Sequence, residues 1–161
     1  MAIILNGNNT PTAGAVAVGD GTTLAFTSAG TSGQLLQSNG ASAPSFTSTL
    51  VNPTVTNYTE TPFTANSSTA ITLALTNGTV QIITLTGNAT ITMPTAVNGK
   101  SFIMFLKQDA TGSRTVTWST VKWAGGTAPT ITSTASRQDI YSFFADGTNW
   151  YGVTVGQNYT P

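Results

Sequence analysis

The chain has 161 residues, 39% of them hydrophobic but only 6% charged, whereas an ordinary soluble domain carries roughly 25% charged residues. Its polarity sits on 33 Thr, 14 Ser and 12 Asn, which favour strands and turns: Thr is stiff at its first torsion, and Ser and Asn compete with helical hydrogen bonds. Five basic residues balance five acidic ones, and Cys and His are absent. This argues against nucleic-acid binding and polybasic membrane anchoring, and removes disulfides, thiolate nucleophiles, a Ser-His-Asp triad and imidazole or thiolate zinc sites.

In chain order, the opening apolar run Ala2 to Leu5 lacks a basic flank. No stretch approaches the ~18 apolar residues of a membrane span, so neither a signal peptide nor a span is expected. Residues 1–50 read as an extended Gly/Thr/Ser-rich arm. Its apolar islands, Val16, Val18, Leu24, Phe26, Leu35 and Leu36, are too small to build a core. Turn pairs recur at Asn6-Gly7, Gly19-Asp20-Gly21, Ser32-Gly33 and Asn39-Gly40. Taken by itself the arm reads equally as a flexible linker, which a partner surface or a trimer axis would order.

Residues 51–161 read as an all-β domain, an antiparallel sandwich of jelly-roll-like character, with strand and turn signals alternating about every ten residues. Ile71, Leu73 and Leu75 alternate with Thr72 and Ala74, and Asn77-Gly78 offers the turn of a hairpin returning through Val80 to Leu85. Ala89, Ile91 and Met93 form the next strand, and Asn98-Gly99 reverses the chain into Ser101 to Lys107. There Phe102, Met104 and Leu106 oppose Ile103 and Phe105, so both faces are apolar, as in a central strand or one covered by another subunit. Thr115 to Trp118 and Val121 to Trp123 are short strands, and Gln138 to Ala145 pairs with Asn149 to Val155 across Asp146-Gly147.

Chemistry-bearing patterns are sparse. Asp20, Glu60, Asp109, Asp139 and Asp146 supply the carboxylates of any hydrolytic pair, but turn aspartates usually serve local structure. Gly99-Lys100-Ser101 lacks the first glycine of a phosphate loop, since Pro94 stands in its place, and no calcium-loop series is present. The six glycosylation-type sequons follow from an Asn- and Thr-rich composition. Trp118 and Trp150 are expected in the core, whereas Trp123, beside Gly125-Gly126, is a candidate surface contact. No catalytic, cofactor or metal residue is assigned.

Two stretches carry a resemblance. GTSGQLLQSNGASAPSF, Gly30 to Phe46, resembles an element that recurs in tail-fibre and related virion proteins of tailed bacteriophages. TLTGNATITMP, GKSFIMFLKQDATGSRTVTWSTVKWAGGTAPT and DGTNWYGV, between Thr84 and Val153, are similar to a β-rich module of phage structural proteins. The resemblance implies a non-enzymatic component of the virion surface, without a cofactor, whose partners are its own copies in a homotrimer and the major capsid protein or another virion protein. The expected role is a trimeric capsid decoration, or cement, protein braced through its arm. The alternative is a tail-fibre or receptor-binding component that recognises a host-surface glycan. Nucleic acid and membrane are not expected partners. Leu35, Leu36, Phe46, Phe102, Met104, Leu106 and Trp123 are the candidate contact residues.

Overall fold

The structure of the protein is a computed structural model that describes residues 12–19 and 24–161. It divides into two compact units, one ending at Asn57 and one spanning Tyr58–Pro161. In the first, β1 (Ala17–Gly19) pairs antiparallel with β2 (Leu24–Phe26), and β3 (Leu35–Asn39) pairs antiparallel with β4 (Ser42–Thr47). Asn39-Gly40 makes the second turn: Gly40 takes φ +70° and the Asn39 amide donates to the Ala43 carbonyl at 2.8 Å. The Ser32-Gly33 turn is present with Gly33 at φ +85°, while Asn6-Gly7 and Asp20-Gly21 lie outside the described residues. No described residue of this unit is buried.

The second unit contains β5 (Pro62–Asn66), β6 (Ala70–Thr72), β7 (Val80–Leu85), β8 (Ala89–Thr92), β9 (Ser101–Gln108), β10 (Val116–Ser119), β11 (Val121–Trp123), β12 (Gln138–Ala145) and β13 (Trp150–Tyr159). They form a six-stranded sheet, ordered β11-β13-β12-β9-β7-β5, and a three-stranded sheet, ordered β10-β8-β6. From β5 to β11 the chain visits the two sheets alternately, so each turn of this coil, roughly twenty residues long, adds one strand to each sheet. Pairs one turn apart are therefore parallel: β5 with β7, β7 with β9, β6 with β8 and β8 with β10. β12 and β13 close the larger sheet as an antiparallel hairpin.

The all-β reading holds, and the pairing is mixed rather than antiparallel. The two inner hairpins are not formed. β6 and β7 lie in different sheets; between them Leu75–Asn77 forms a single 3-10 turn and Gly78 takes φ 136°, ψ 156°. That extended mirror-image geometry belongs to glycine and is not that of a tight hairpin turn. It also seats Gly78 against the Thr61 carbonyl, which would lie 2.1 Å from any Cβ added there. Asn98-Gly99 likewise turns the chain without pairing β8 to β9: the Gly99 N–H donates to the Ala145 carbonyl at 3.0 Å, and the Ala145 N–H to the Lys100 carbonyl at 2.9 Å. The link from β10 to β11 is Thr120 alone, at φ +57°, a conformation a β-branched residue rarely adopts.

The core lies between the two sheets. Ile83 and Leu85 of β7, Ile91 of β8, Phe102, Met104 and Leu106 of β9, Tyr141 and Phe143 of β12 and Trp150 of β13 are buried within it. Alternation along each strand follows from the two-residue side-chain period.

Candidate functional site

The carboxylates of the described residues are engaged in the fold. Asp109 accepts from the Thr111 and Gly112 N–H groups at 3.0 and 2.8 Å and forms an ion pair with Arg114 at 2.8 Å. The Arg114 bond chiefly holds its carboxyl below the ordinary value. Asp146 accepts from the Thr148 and Asn149 N–H groups at 2.8 and 2.7 Å and from the Tyr151 hydroxyl at 2.9 Å. The Asn149 and Thr148 backbone bonds lead in depressing its pKa to about 2. Both aspartates do the local turn work their positions predict. Glu60 accepts from the Thr79 hydroxyl, and Asp20 lies outside the described residues.

Asp139, whose role the sequence leaves open, is only 2% exposed. It receives the Thr132 and Asn158 N–H groups at 2.7 and 2.9 Å, the Tyr141 hydroxyl at 3.1 Å and the Gln157 amide at 3.2 Å. Burial pushes its pKa up, and the bonds from Thr132, Asn158 and Gln157 outweigh burial and hold it down. The same burial, with the neighbouring carboxylate, pushes the Tyr141 phenol up. This is a structural knot tying the 130s loop and the end of β13 to β12.

Trp118, Trp123, Tyr141 and Phe143 pack against one another. Trp118 meets Trp123 and Tyr141 edge to face at 5.3 and 5.4 Å, and Trp123 meets Tyr141 and Phe143 at 5.9 and 5.8 Å. Trp123 is half-buried and packs against the core cluster. Its ring lies over Gly152, where a Cβ would come within 2.6 Å of it. Trp150 lies in the core as the sequence predicts, and Trp118 and Trp123 are both half-buried and packed against it.

Among the candidate contact residues, Leu35 and Leu36 are 53% and 45% exposed on the β3–β4 hairpin, and Phe46 is half-buried beside Gly30. Phe102, Met104 and Leu106 are 4%, 0% and 3% exposed. They fill the chain's own core and have no surface to offer a neighbour. The opposite face of the same strand carries the outward apolar residues.

There the register aligns side chains into rows: Val80, Ile103, Ser142 and Val153 form one, and Ile82, Phe105 and Ile140 the next. Phe144 and Tyr151 pair beyond them, at 48% and 39% exposure, with Val153 at 47%. The six-stranded sheet is thus apolar on both faces, with only one covered by the core. Two-sided apolarity is legible in Phe102 to Leu106; which side faces in depends on the facing sheet and is not.

A second feature lies at the end of the coil where β6 and β8, being parallel, both finish. The segments that follow them line an open cavity of about 710 Å³. Its floor includes Leu73 and Met93, which are 2% and 7% exposed, and its walls include Leu75, Pro94, Val97 and Lys100. The Trp150 indole N–H donates to the Pro94 carbonyl at 2.7 Å, fixing one wall.

Two packed β-sheets, with the described carboxylates engaged in hydrogen bonds, define the class: a β-rich two-layer module. The chain belongs to the family described as "Putative phage tail fibre C-terminal domain", which matches residues 69–150. It is therefore a phage virion structural protein of tail-fibre type. The matched span runs from the start of β6 to the first residue of β13, including both cavity walls and β7, β9 and β12. No curated protein and no solved structure matches the chain. The family favours the tail-fibre alternative, and nothing supports capsid decoration.

Proposed function

We propose that the protein is a non-enzymatic tail-fibre component at the virion surface, assembled as a homotrimer and recognising a host-surface glycan. The observation that carries the assembly is the outer face of the six-stranded sheet. Ile82, Phe105 and Ile140 form one apolar row, Val80, Ile103 and Val153 flank it about Ser142, and Phe144 and Tyr151 lie beyond, a denser grouping than the scattered apolar residues of a monomer. Three copies burying it about one axis bring like surfaces together without a charge mismatch. A binding rather than cutting role accords with carboxylates committed to backbone and side-chain donors. The first unit, whose described residues are all at least partly exposed, supplies contacts to an adjoining virion protein.

The test is copy number and position in purified particles, by quantitative mass spectrometry and immunogold labelling. A few to a few tens of copies, with label on the tail, is expected. Hundreds of copies spread over the head would overturn the reading.

A further inference from the structure

The cavity between the segments after β6 and β8 combines three features that together select a ligand. Leu75, Pro94 and Val97 provide an accessible apolar lining above the buried Leu73 and Met93. Thr72, Thr76 and Thr95 line the same space and bring hydroxyls to its rim. Lys100 brings one cation, and the one ion pair among the described residues is Arg114–Asp109, so Lys100 is left uncompensated there. Its backbone is held on both sides, the N–H donating to the Val97 carbonyl at 3.0 Å and the carbonyl accepting from Ala145 at 2.9 Å.

An adjoining depression shares Leu75 and Thr76 with the cavity and carries Glu60. A cation thus stands on one side of Leu75–Thr76 and an anion on the other. We infer that this cavity is a binding subsite for an acidic sugar residue, its carboxylate on Lys100, the apolar face of its ring on Leu75, Pro94 and Val97, and its hydroxyls toward the threonines and Glu60. The inference rests on the proposed glycan-recognising role and names the chemistry of the ligand.

Other occupants fit less well. A fatty acyl chain would use the apolar lining and Lys100 but make no use of the hydroxyls of Thr72, Thr76 and Thr95. A phosphate group calls for several convergent donors or cations, and here one lysine faces it with a carboxylate nearby. The volume lies within the range of about 300–1,000 Å³ typical of small-ligand sites.

The experiment titrates the full chain, followed by heteronuclear NMR, with the methyl glycosides of glucuronic, galacturonic and N-acetylneuraminic acids, with neutral methyl glucoside, and with laurate. At least one acidic glycoside is expected to shift signals of residues 72–76 and 93–100 more strongly than methyl glucoside does. Lys100→Gln is expected to weaken that acid about tenfold, the scale of one charge-assisted hydrogen bond, and to leave methyl glucoside unaffected. Lys122→Gln, on β11, is expected to change nothing. Val97→Trp, which fills the mouth from a 51% exposed position, is expected to abolish binding while the thermal melt is preserved.

No response to any of the three acids, binding that Lys100→Gln leaves intact, or saturation by laurate in their place would overturn the inference. A chain that adheres to host cells equally well with Val97→Trp removes the subsite and spares the recognition role. A chain that binds the acid through Lys100 yet never adheres to host cells does the reverse.

Discussion

At Asp139 the cost of burying a carboxylate is offset by two backbone N–H groups, a phenol and an amide that converge on it. Removing the acceptor leaves those donors buried without a partner. Asp139→Ala is therefore expected to lower stability by about 3 kcal/mol, measured by urea denaturation, with the 130s loop and the end of β13 losing amide protection first. A variant within ~0.5 kcal/mol of wild type would contradict this account of the knot.

Asp146 gives a pH dependence of defined sign. Its folded pKa is about 2, below the ordinary value of 3.8, so the proton binds the unfolded chain more readily. The stabilisation is fully present above about pH 4 and is lost as the pH falls from there through about 2. Across that window the thermal midpoint of wild type should fall more than that of Asp146→Asn, and the two curves should converge at the acid end. Parallel curves would show that the turn does not depend on the charge.

At the scale of elements, the turn signals were readable and the partners were not. Asn39-Gly40, Asn98-Gly99 and Asp146-Gly147 all mark turns, and the β12–β13 hairpin is where the sequence predicts it. A strand every ten residues, however, is produced equally by an antiparallel meander and by a coil that crosses between two sheets. What separates them is the distance partner, β6 with β8 or β7 with β9, and no local residue encodes it.

Gly78 shows the difference physically. In a tight hairpin its neighbourhood would be open; here it sits against the Thr61 carbonyl at positive φ. Gly78→Ala is expected to cost about 3 kcal/mol, from strain added to a backbone clash. Gly99→Ala, at φ +78° with nothing within 4 Å of an added Cβ, is expected to cost about 1 kcal/mol. Equal costs in chemical denaturation would argue against the crossover geometry. The packing of Trp123 against the core has the same origin, since its parallel pairing with Gly152 joins residues far apart in sequence.

At the scale of the whole molecule, all the fully buried side chains of the described residues belong to the unit that begins at Tyr58. A chain starting at Tyr58 is accordingly expected to keep a cooperative thermal transition and strand-type circular dichroism, and to lose incorporation into particles that lack the wild-type protein. Failure of that chain to fold would mean that the first unit contributes to the core; full incorporation would place anchoring on the second unit.

Assembly through the outer sheet face, as proposed, would turn a doubly apolar sheet from a solubility liability into the working surface of a tail-fibre protein. Native mass determination of the full chain at tens of micromolar, beside Phe105→Arg, tests it most directly. Phe105 lies in the middle of the outer rows, between Ile82 and Ile140, and outside the buried core. The account predicts three chain masses for wild type and one for the variant, with the variant's fold intact by circular dichroism. A monomeric wild type, or a trimer that Phe105→Arg leaves whole, would contradict it.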